Sequence, residues 1–230
     1  LALLSNQRSW KCISDNEEPI KKIFFGFDPD QIMTRDGQYF VQALQDIQCG
    51  NRAIHKQMSV LRHNIEVLKT IEQQEASLDA FIASDSPENI VAKLTEDDGP
   101  YRLKQVGMAL GLEYLRNVGI DAIKPDVHIC RILGKARLGF SQRAVTTEGE
   151  AVIVMERIAN EANLSLAEVD SWLWHLCAKG YGNICGETPQ CVKCKLQDSC
   201  AYPKKDDGQV TAPRVDVKVS TGPYCLVASG

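Results

Sequence analysis

The stretch Leu103–Phe140 constrains the fold most, because it places two helical segments on either side of a firm break. The first segment repeats apolar residues at helical spacing up to Val118, and the second opens at Asp126, a preferred helix N-cap. Pro125 disfavours helical dihedral angles for the residue before it, so the first helix must end ahead of it. The stretch therefore predicts a helix–loop–helix unit whose second helix carries a carboxylate at its positive end, which favours the ionised form.

The rest of the chain up to residue 180 also shows helical periodicity, and we find no convincing strand before residue 208. The longer predicted helices are Asp15–Phe25, Asp36–Ile47, Ile54–Ile71, Leu78–Ala83, Pro87–Leu94, Thr147–Ala162 and Leu166–Lys179. An alternating segment at Val215–Val219 predicts an exposed strand. No apolar run is long enough to cross a bilayer. The sequence therefore predicts an all-α protein with no membrane helix.

Cysteines cluster near the end of this pattern, in the order Cys185-x5-Cys191-x2-Cys194-x5-Cys200. Four of the nine cysteines fall within these sixteen residues. The opening LALLSNQRSW has too short an apolar run for a secretory segment, so we expect a reducing compartment, cytoplasmic or nuclear. Four thiolates so spaced can close on a zinc ion or on a [4Fe–4S] cluster, and the spacing alone leaves both open.

At these two motifs the chain resembles the helix-hairpin-helix DNA glycosylase superfamily, in particular its endonuclease III-like branch. Gly107 matches the second glycine of the family's hairpin, while Gln105 stands in place of the first. Asp126, His128 and Arg131 match the later segment, which carries the family's catalytic aspartate. The cysteine spacing resembles the iron–sulfur loop of that branch, with a first gap one residue shorter, so the resemblance favours the cluster over zinc.

The resemblance implies two helical lobes with a cleft between them, although many helical folds have a similar pattern. Residues 21–124 would form a six-helix barrel lobe that ends in the helix-hairpin-helix. Residues 1–20 and 125–202 would form a second helical lobe with the [4Fe–4S] loop. The extension 203–230 has no counterpart and is left unassigned, and we expect a monomer.

The resemblance also implies base excision repair of double-stranded DNA that contains a lesion. Asp126 would stabilise positive charge on the sugar and orient the attacking water, although a plain helix cap is the other interpretation of this residue. Bifunctional relatives carry a nucleophilic lysine where this chain has Ala109, or Met108 if the hairpin is shortened elsewhere. We therefore expect base removal without efficient AP lyase activity. Lys104 and Lys124 are candidates for residual lyase activity or for phosphate contacts.

Charge is unevenly distributed along the chain, whose net charge is −4. Residues 101–143 contain eight basic and three acidic residues, whereas residues 1–100 contain ten basic and sixteen acidic. Local charge of this sign attracts phosphates, although any one of these side chains could belong to an ordinary solvated face. The candidate DNA contacts are Gln48, Asn51, Lys104, Gln105, Gly107, Lys124 and Arg131.

Gln48 and Asn51 lie in a loop between two amphipathic segments. By resemblance, Gln48 is the wedge that enters the duplex where the target base has left, and Asn51 contacts the orphaned base. The other interpretation is a helix C-cap, in which Gly50 or Asn51 adopts the left-handed conformation.

Four aromatic side chains are assigned to packing. We expect His128 to be a hydrogen-bonded core histidine and His175 to pack near the cysteine loop, with zinc ligation as an outside alternative. Trp172 and Trp174 are predicted to lie in the core beneath that loop. A second hypothesis, a catalytically inactive DNA-binding protein of the same architecture, rests on Gln105 and on the missing lysine.

Overall fold

The computed structural model describes residues 1–6 and 8–202, and this part of the chain consists of helices, turns and loops without a β-strand. The all-α prediction is confirmed. The extension from residue 203 onward, with the strand predicted at Val215–Val219, lies outside the described residues. The α-helices are Ala2–Ser5 (α1), Trp10–Ser14 (α2), Glu17–Ile23 (α3), Pro29–Met33 (α4), Gly37–Asp46 (α5), Ile54–Ser59 (α6), Leu61–Gln74 (α7), Leu78–Ile82 (α8), Pro87–Thr95 (α9), Met108–Asn117 (α10), Val127–Leu133 (α11), Glu148–Ala162 (α12) and Leu166–Cys177 (α13).

Local capping defines several of these helices. Ser86 accepts a hydrogen bond from the Asn89 N–H at the start of α9, and Thr147 accepts one from the Glu150 N–H at the start of α12. Ser165 and Glu168 form a capping box at α13. Each such cap contributes about 1 kcal/mol, because it satisfies a backbone N–H that the helix leaves unpaired.

Two of the predicted helices differ in their bounds. The predicted helix Ile54–Ile71 is broken at Val60 into α6 and α7. There α6 packs on α5 so closely that a Cβ on Gly37 would lie 2.6 Å from the Met58 carbonyl oxygen. Helix α10 begins at Met108, and residues 103–107 form the loop that leads into it. Two short helices, α1 and α2, were not predicted.

The apolar side chains form two cores. An N-terminal core runs from Leu4 to Ile65 and is centred on Phe24 and Phe40, whose rings stack with centroids 4.9 Å apart. A C-terminal core runs from Val67 to Cys185 and contains the buried faces of α9 to α13. The two cores divide within α7, and the lobe boundaries expected from the sequence stay a prediction.

The hairpin elements α9 and α10 pack closely, which determines where the functional residues lie. A Cβ on Gly111 would lie 2.7 Å from Val91 Cγ1, so only glycine permits this approach. Helix α1 packs on the other side of α10 and brings Ser5 against Glu113. A cleft opens between these elements, α11 and α13.

Within the described residues, no helix combines the length and the apolar character that crossing a bilayer requires.

Candidate active site

The cleft beside α10 and α11 has a volume of about 840 Å³. A volume of this size falls within the range of sites that bury a small ligand. Its wall comes from distant parts of the chain: the N-terminal segment, the first turns of α10 and α11, and α13. The residues that line it include Ser5, Trp10, Ala109, Glu113, Arg116, Lys124, Asp126, His128, Glu148, Asp170, Trp174, His175 and Tyr181.

Asp126 caps α11, as the sequence predicted, and it also lines this cleft. Its Oδ1 accepts hydrogen bonds from the backbone N–H groups of His128 at 2.8 Å and Ile129 at 3.2 Å. Its Oδ2 accepts none from the described residues, and the side chain is half-buried. Capping and a role in the cleft are therefore compatible, because the cap uses one oxygen and leaves the other for a ligand.

A buried ion pair forms part of the cleft wall beside Asp126. Lys124 Nζ lies 2.7 Å from Glu113 Oε2 and donates to Ser5 Oγ at 3.0 Å. Ser5 Oγ donates in turn to Glu113 Oε2 at 2.5 Å. The Lys124 side chain is 13% exposed and that of Glu113 is 2% exposed. Lys124 is therefore held inside the molecule by Glu113, which makes it a poor candidate for the surface phosphate contact that we expected.

A second acidic side chain lies behind Asp126. Asp170 forms an ion pair with Arg116, and its Oδ1 accepts the Lys124 backbone N–H at 3.3 Å. Burial raises the pKa of Asp170 to about 6, against the opposing effects of Arg116 and of that N–H, while the Asp126 charge raises it further. The floor of the cleft thus holds a carboxyl group whose charge changes in mildly acidic solution.

An aromatic cluster forms the opposite wall. Trp174 packs edge-on against His128, His175 and Tyr181, with ring centroids 6.4, 5.4 and 4.8 Å away. Burial lowers the pKa of His128, with Asp126 opposing the shift. His128 Nδ1 is buried without a hydrogen-bond partner in the described residues. The prediction that His128 is a hydrogen-bonded core histidine is therefore wrong.

Two other aromatic assignments change. Trp174 lies on the cleft wall as well as against the C-terminal core. Trp172 is 63% exposed, so the prediction that it lies in the core is wrong. His175 is exposed and bonds through Nδ1 to the Ser171 carbonyl oxygen at 2.6 Å, which indicates a local helix contact.

The turn before α10 carries the two hairpin positions. Gln105 adopts a left-handed conformation with φ +60°, which is the conformation that glycine would favour at this place. A Cβ on Gly107 would meet no atom within 4 Å, so this exposed position is open to a ligand. Lys104 is exposed, and its backbone is held by the Asn64 side chain.

Glu148 of α12 contacts the first turn of α10. The Ala109 backbone N–H donates a hydrogen bond to the Glu148 carboxylate, and removal of water raises the pKa of that carboxyl more than this bond lowers it. A phosphate at the turn would therefore meet the N–H groups ahead of Ala109, since the Ala109 N–H already has an anionic partner.

Asn51 is placed differently from the prediction. Its side chain is 8% exposed and donates to the Gln57 side chain at 2.9 Å and to the Leu3 carbonyl oxygen at 3.2 Å. These internal bonds hold the side chain inside the protein, and its contact with an orphaned base stays a prediction.

Gln48 follows α5 with φ +55°, while the Cys49 N–H bonds back to the Leu44 carbonyl oxygen. Gln48 itself therefore closes the helix in the left-handed conformation, which we had expected of Gly50 or Asn51. Its side chain is exposed. It remains a candidate wedge.

Most of the basic side chains in 101–143 have internal partners, which weakens the expected phosphate attraction. Arg131 is 15% exposed and lies 3.9 Å from Glu187 Oε1 in the cysteine loop, and its contact with DNA stays a prediction. Exposed basic residues in this stretch are Lys104, Lys135 and Arg143. Internal hydrogen bonds or ion pairs involve Arg102, Arg116, Lys124, Arg131 and Arg137.

The four clustered cysteines line one small cavity of about 20 Å³. Arg137 borders it, buried, with Nη2 donating to the Gly186 carbonyl oxygen at 3.3 Å and Nη1 without a partner in the described residues. The Cys177 thiol, which lies outside the spaced motif, is hydrogen-bonded to Cys185, and this bond lowers the pKa of Cys185 to about 7.

The cysteine cavity bears on the choice between a zinc ion and a cluster. Among the described residues, no three or more His, Cys, Asp or Glu side chains are close enough together to hold one metal ion. Four sulfurs arranged around a cavity, with an unpaired guanidinium N–H beside them, fit the chemistry of a group that binds each sulfur separately. The cavity has about the volume of one water molecule, so the fit rests on the sulfur donors themselves.

The structure also places three residues in the cleft wall for which the sequence predicts no role. Ser5, Glu113 and Asp170 come together only through the packing of α1, α10 and α13. A signal for Glu113 was available, since it interrupts the apolar stretch of α10 at a buried position. The other two carried no local signal.

Comparison with known proteins gives one distant similarity to a repair enzyme. The chain is 29% identical over 104 residues to a protein named 8-oxoguanine DNA glycosylase/AP lyase from Aquifex aeolicus (strain VF5). The match covers 44% of this chain and 46% of that relative, so the chain matches less than half of the relative's length. No family model and no solved structure matches the chain. The similarity agrees with the superfamily to which the two sequence motifs point.

Proposed function

We propose that this protein is a DNA glycosylase of base excision repair that hydrolyses the N-glycosidic bond of a damaged or mismatched base in duplex DNA. The observation that carries the proposal is the position of Asp126, which caps α11 with one oxygen and lines the 840 Å³ cleft. The distant similarity to a named glycosylase supports the same class of reaction.

The chemistry of base removal suits this cleft. The target nucleotide must leave the duplex, because the bond to be broken is inaccessible inside the stack. As that bond breaks, positive charge develops on the sugar, and a fixed carboxylate beside it stabilises this charge. The two backbone N–H groups that hold Asp126 keep it oriented, and its free Oδ2 can position or deprotonate the water.

DNA binding would use the turn before α10 and the exposed basic residues around it. Gly107 leaves room for a phosphate to approach the backbone, and Lys104 lies three residues before it. Gln48 would act as the wedge. Phosphate contacts of this kind do not depend on the base sequence of the DNA, which suits an enzyme that scans long stretches of DNA. We propose that the enzyme does so as a monomer.

We propose that the protein works in a reducing compartment, cytoplasmic or nuclear.

We further propose that its strand cleavage is inefficient. Ala109 stands at the position of the bifunctional lysine, and Lys124 is held by Glu113 in an ion pair. The relative's printed name includes AP lyase, so the point needs a direct test. Borohydride trapping on abasic DNA should give little covalent complex with the wild type and more with Ala109→Lys. Efficient trapping by the wild type would reject this part of the proposal.

We propose that Cys185, Cys191, Cys194 and Cys200 hold a [4Fe–4S] cluster, with zinc as the alternative. When bound, the cluster would brace the loop beyond α13, and we assign it no step in base removal. Arg137 would donate to it from the buried side. Iron and sulfide analysis together with visible absorption should detect the cluster, whereas a colourless zinc protein would contradict it.

The main experiment uses duplexes that each carry one lesion, followed by alkali to reveal abasic sites. Breaks that appear only after alkali support a monofunctional glycosylase. No product with any of uracil, a thymine mismatch, alkylated purines or oxidised purines would support the inactive DNA-binding protein instead. Asp126→Asn provides the inactive control, and Asp36→Asn provides a matched variant, because Asp36 also caps a helix but lies away from the cleft.

A further inference from the structure

Two cysteines outside the metal loop lie in contact with each other. Cys12 on α2 and Cys49 after α5 are 37 residues apart, and their Sγ atoms are 3.2 Å apart. A disulfide bond is about 2.05 Å long, so the two sulfurs need to approach by only about 1.2 Å. The Cys49 thiol also lies 3.3 Å from the Cys12 carbonyl oxygen, so it contacts both the side chain and the backbone of Cys12.

The two thiols differ in access. Cys12 is half-buried, so a small reagent can reach it, whereas Cys49 is fully buried. Arg8 Nη2 donates to Cys12 Sγ at 3.2 Å, so a cation lies beside the accessible thiol. Burial raises the pKa of Cys49 to about 11, which keeps this enclosed thiol protonated at neutral pH. Access therefore makes Cys12 the thiol that a reagent meets first.

The surroundings of the pair connect it to the regions that we expect to contact DNA. Arg8 also donates to the Gln48 carbonyl oxygen, and the Cys12 thiol lies 3.6 Å from the same oxygen. Trp10, two residues before Cys12, lines the cleft. A covalent link at this place would join α2 to the loop that carries the candidate wedge Gln48.

We propose that Cys12 and Cys49 form a redox-active dithiol site that reacts with small-molecule disulfides and closes into an intramolecular disulfide. The Cys12 thiolate attacks one sulfur of the reagent, the reagent's S–S bond breaks, and one reagent thiolate leaves and takes a proton. The Cys49 thiol then loses its proton and attacks Cys12 Sγ, which releases the second reagent thiol. Two electrons and two protons pass from the pair to the reagent, which is reduced to two thiols.

The test treats the full chain with glutathione disulfide and maps the products after digestion with trypsin. Cleavage after Lys11, Lys21, Arg35 and Arg52 places Cys12 in peptide 12–21 and Cys49 in peptide 36–52, each as the only cysteine. We expect these two peptides to become joined in the wild type. Cys49→Ser should stop at a glutathione adduct on Cys12, and Cys12→Ser should leave Cys49 free over the same time.

Two further readouts make the result decisive. Cys130 is buried and has no neighbouring thiol in the described residues, so it should stay free as an internal control. The oxidised wild type should melt about 5–10 °C higher than the reduced protein, and neither serine variant should show this shift. A wild type that keeps both thiols free, or that accumulates the same lasting adduct as Cys49→Ser, would overturn the proposal.

Discussion

The cleft at Asp126 and the cysteine loop are two candidate sites built in opposite ways. The loop takes its four sulfurs from sixteen consecutive residues, and the chain needs little more than spacing to bring them around one cavity. The cleft joins Ser5, Glu113, Asp126 and Asp170, which come from four helices and their ends. The comparison shows that a cluster of cysteines can be predicted from local spacing, whereas the lining of a cleft depends on how distant helices pack.

The largest expected effect concerns the cleft. Asp126→Asn should reduce base removal by about 10²–10⁴-fold, because a neutral amide cannot stabilise positive charge on the sugar or accept a proton. Asn is as good an N-cap as Asp, so the melting temperature should change little. Single-turnover kinetics and thermal unfolding measure the two effects, with Asp36→Asn as control. An equal loss of activity in both variants would show that Asp126 acts only as a helix cap and has no role in base removal.

The next prediction concerns the cysteine loop. Cys194→Ser should release iron and lower the melting temperature, because the free energy of metal binding is part of the free energy of folding. Iron content, visible absorption and calorimetry check this, and Cys12→Ser serves as the matched cysteine variant away from the loop. If Cys194→Ser keeps its colour and stability, the four sulfurs do not act as one ligand set.

A third prediction tests the buried acid behind the cleft. The pKa of Asp170 is raised to about 6, so between about pH 4 and pH 6 the folded protein holds a proton that the unfolded chain has lost. The stability that protonated Asp170 confers is therefore complete below about pH 4 and is lost as the pH rises through 6. A rise of this size in the pKa of one carboxyl group corresponds to about 3 kcal/mol of unfolding free energy.

Asp170→Asn does not titrate, so its difference in unfolding free energy from the wild type isolates this group. The wild type should lose stability relative to the variant by about 3 kcal/mol between pH 4 and pH 7. Denaturant unfolding at several pH values gives the difference. Parallel curves for the two proteins would show that Asp170 is charged throughout and that the cleft floor is more hydrated than its burial indicates.

The smallest effect concerns the hairpin turn. Gln105→Gly should stabilise the fold by about 1 kcal/mol, because Gln105 occupies a left-handed conformation that costs a residue with a side chain about that much. Gln197→Gly is the control, because Gln197 lies in the cysteine loop and does not have a positive φ. This substitution should not stabilise the fold. Denaturant midpoints of the two variants measure the effect. Equal or opposite shifts would show that the turn at residue 105 relaxes without strain.

Much of the fold followed from local chemistry. Asp126, Ser86 and Thr147 were predictable caps, because a short polar side chain before an apolar repeat satisfies the N–H groups that start a helix. The break at Val60 was not predictable, since the apolar repeat continues through it, and the tight approach of α6 to Gly37 of α5 joins residues far apart in the chain. The prediction that Trp172 lies in the core was wrong, because the sequence of one helix does not show which of its faces packs against another helix.

The sequence by itself determined that this protein is helical, where Asp126 sits at a helix start, and that four cysteines are close together. These features depend on interactions among residues near each other in the chain. Only the tertiary structure decided that Asp126 lines a cleft, that Lys124 forms an ion pair with Glu113, and that Cys12 contacts Cys49. Those contacts join residues far apart in sequence, and they arise from the shared packing of several apolar helix faces, which no single segment encodes.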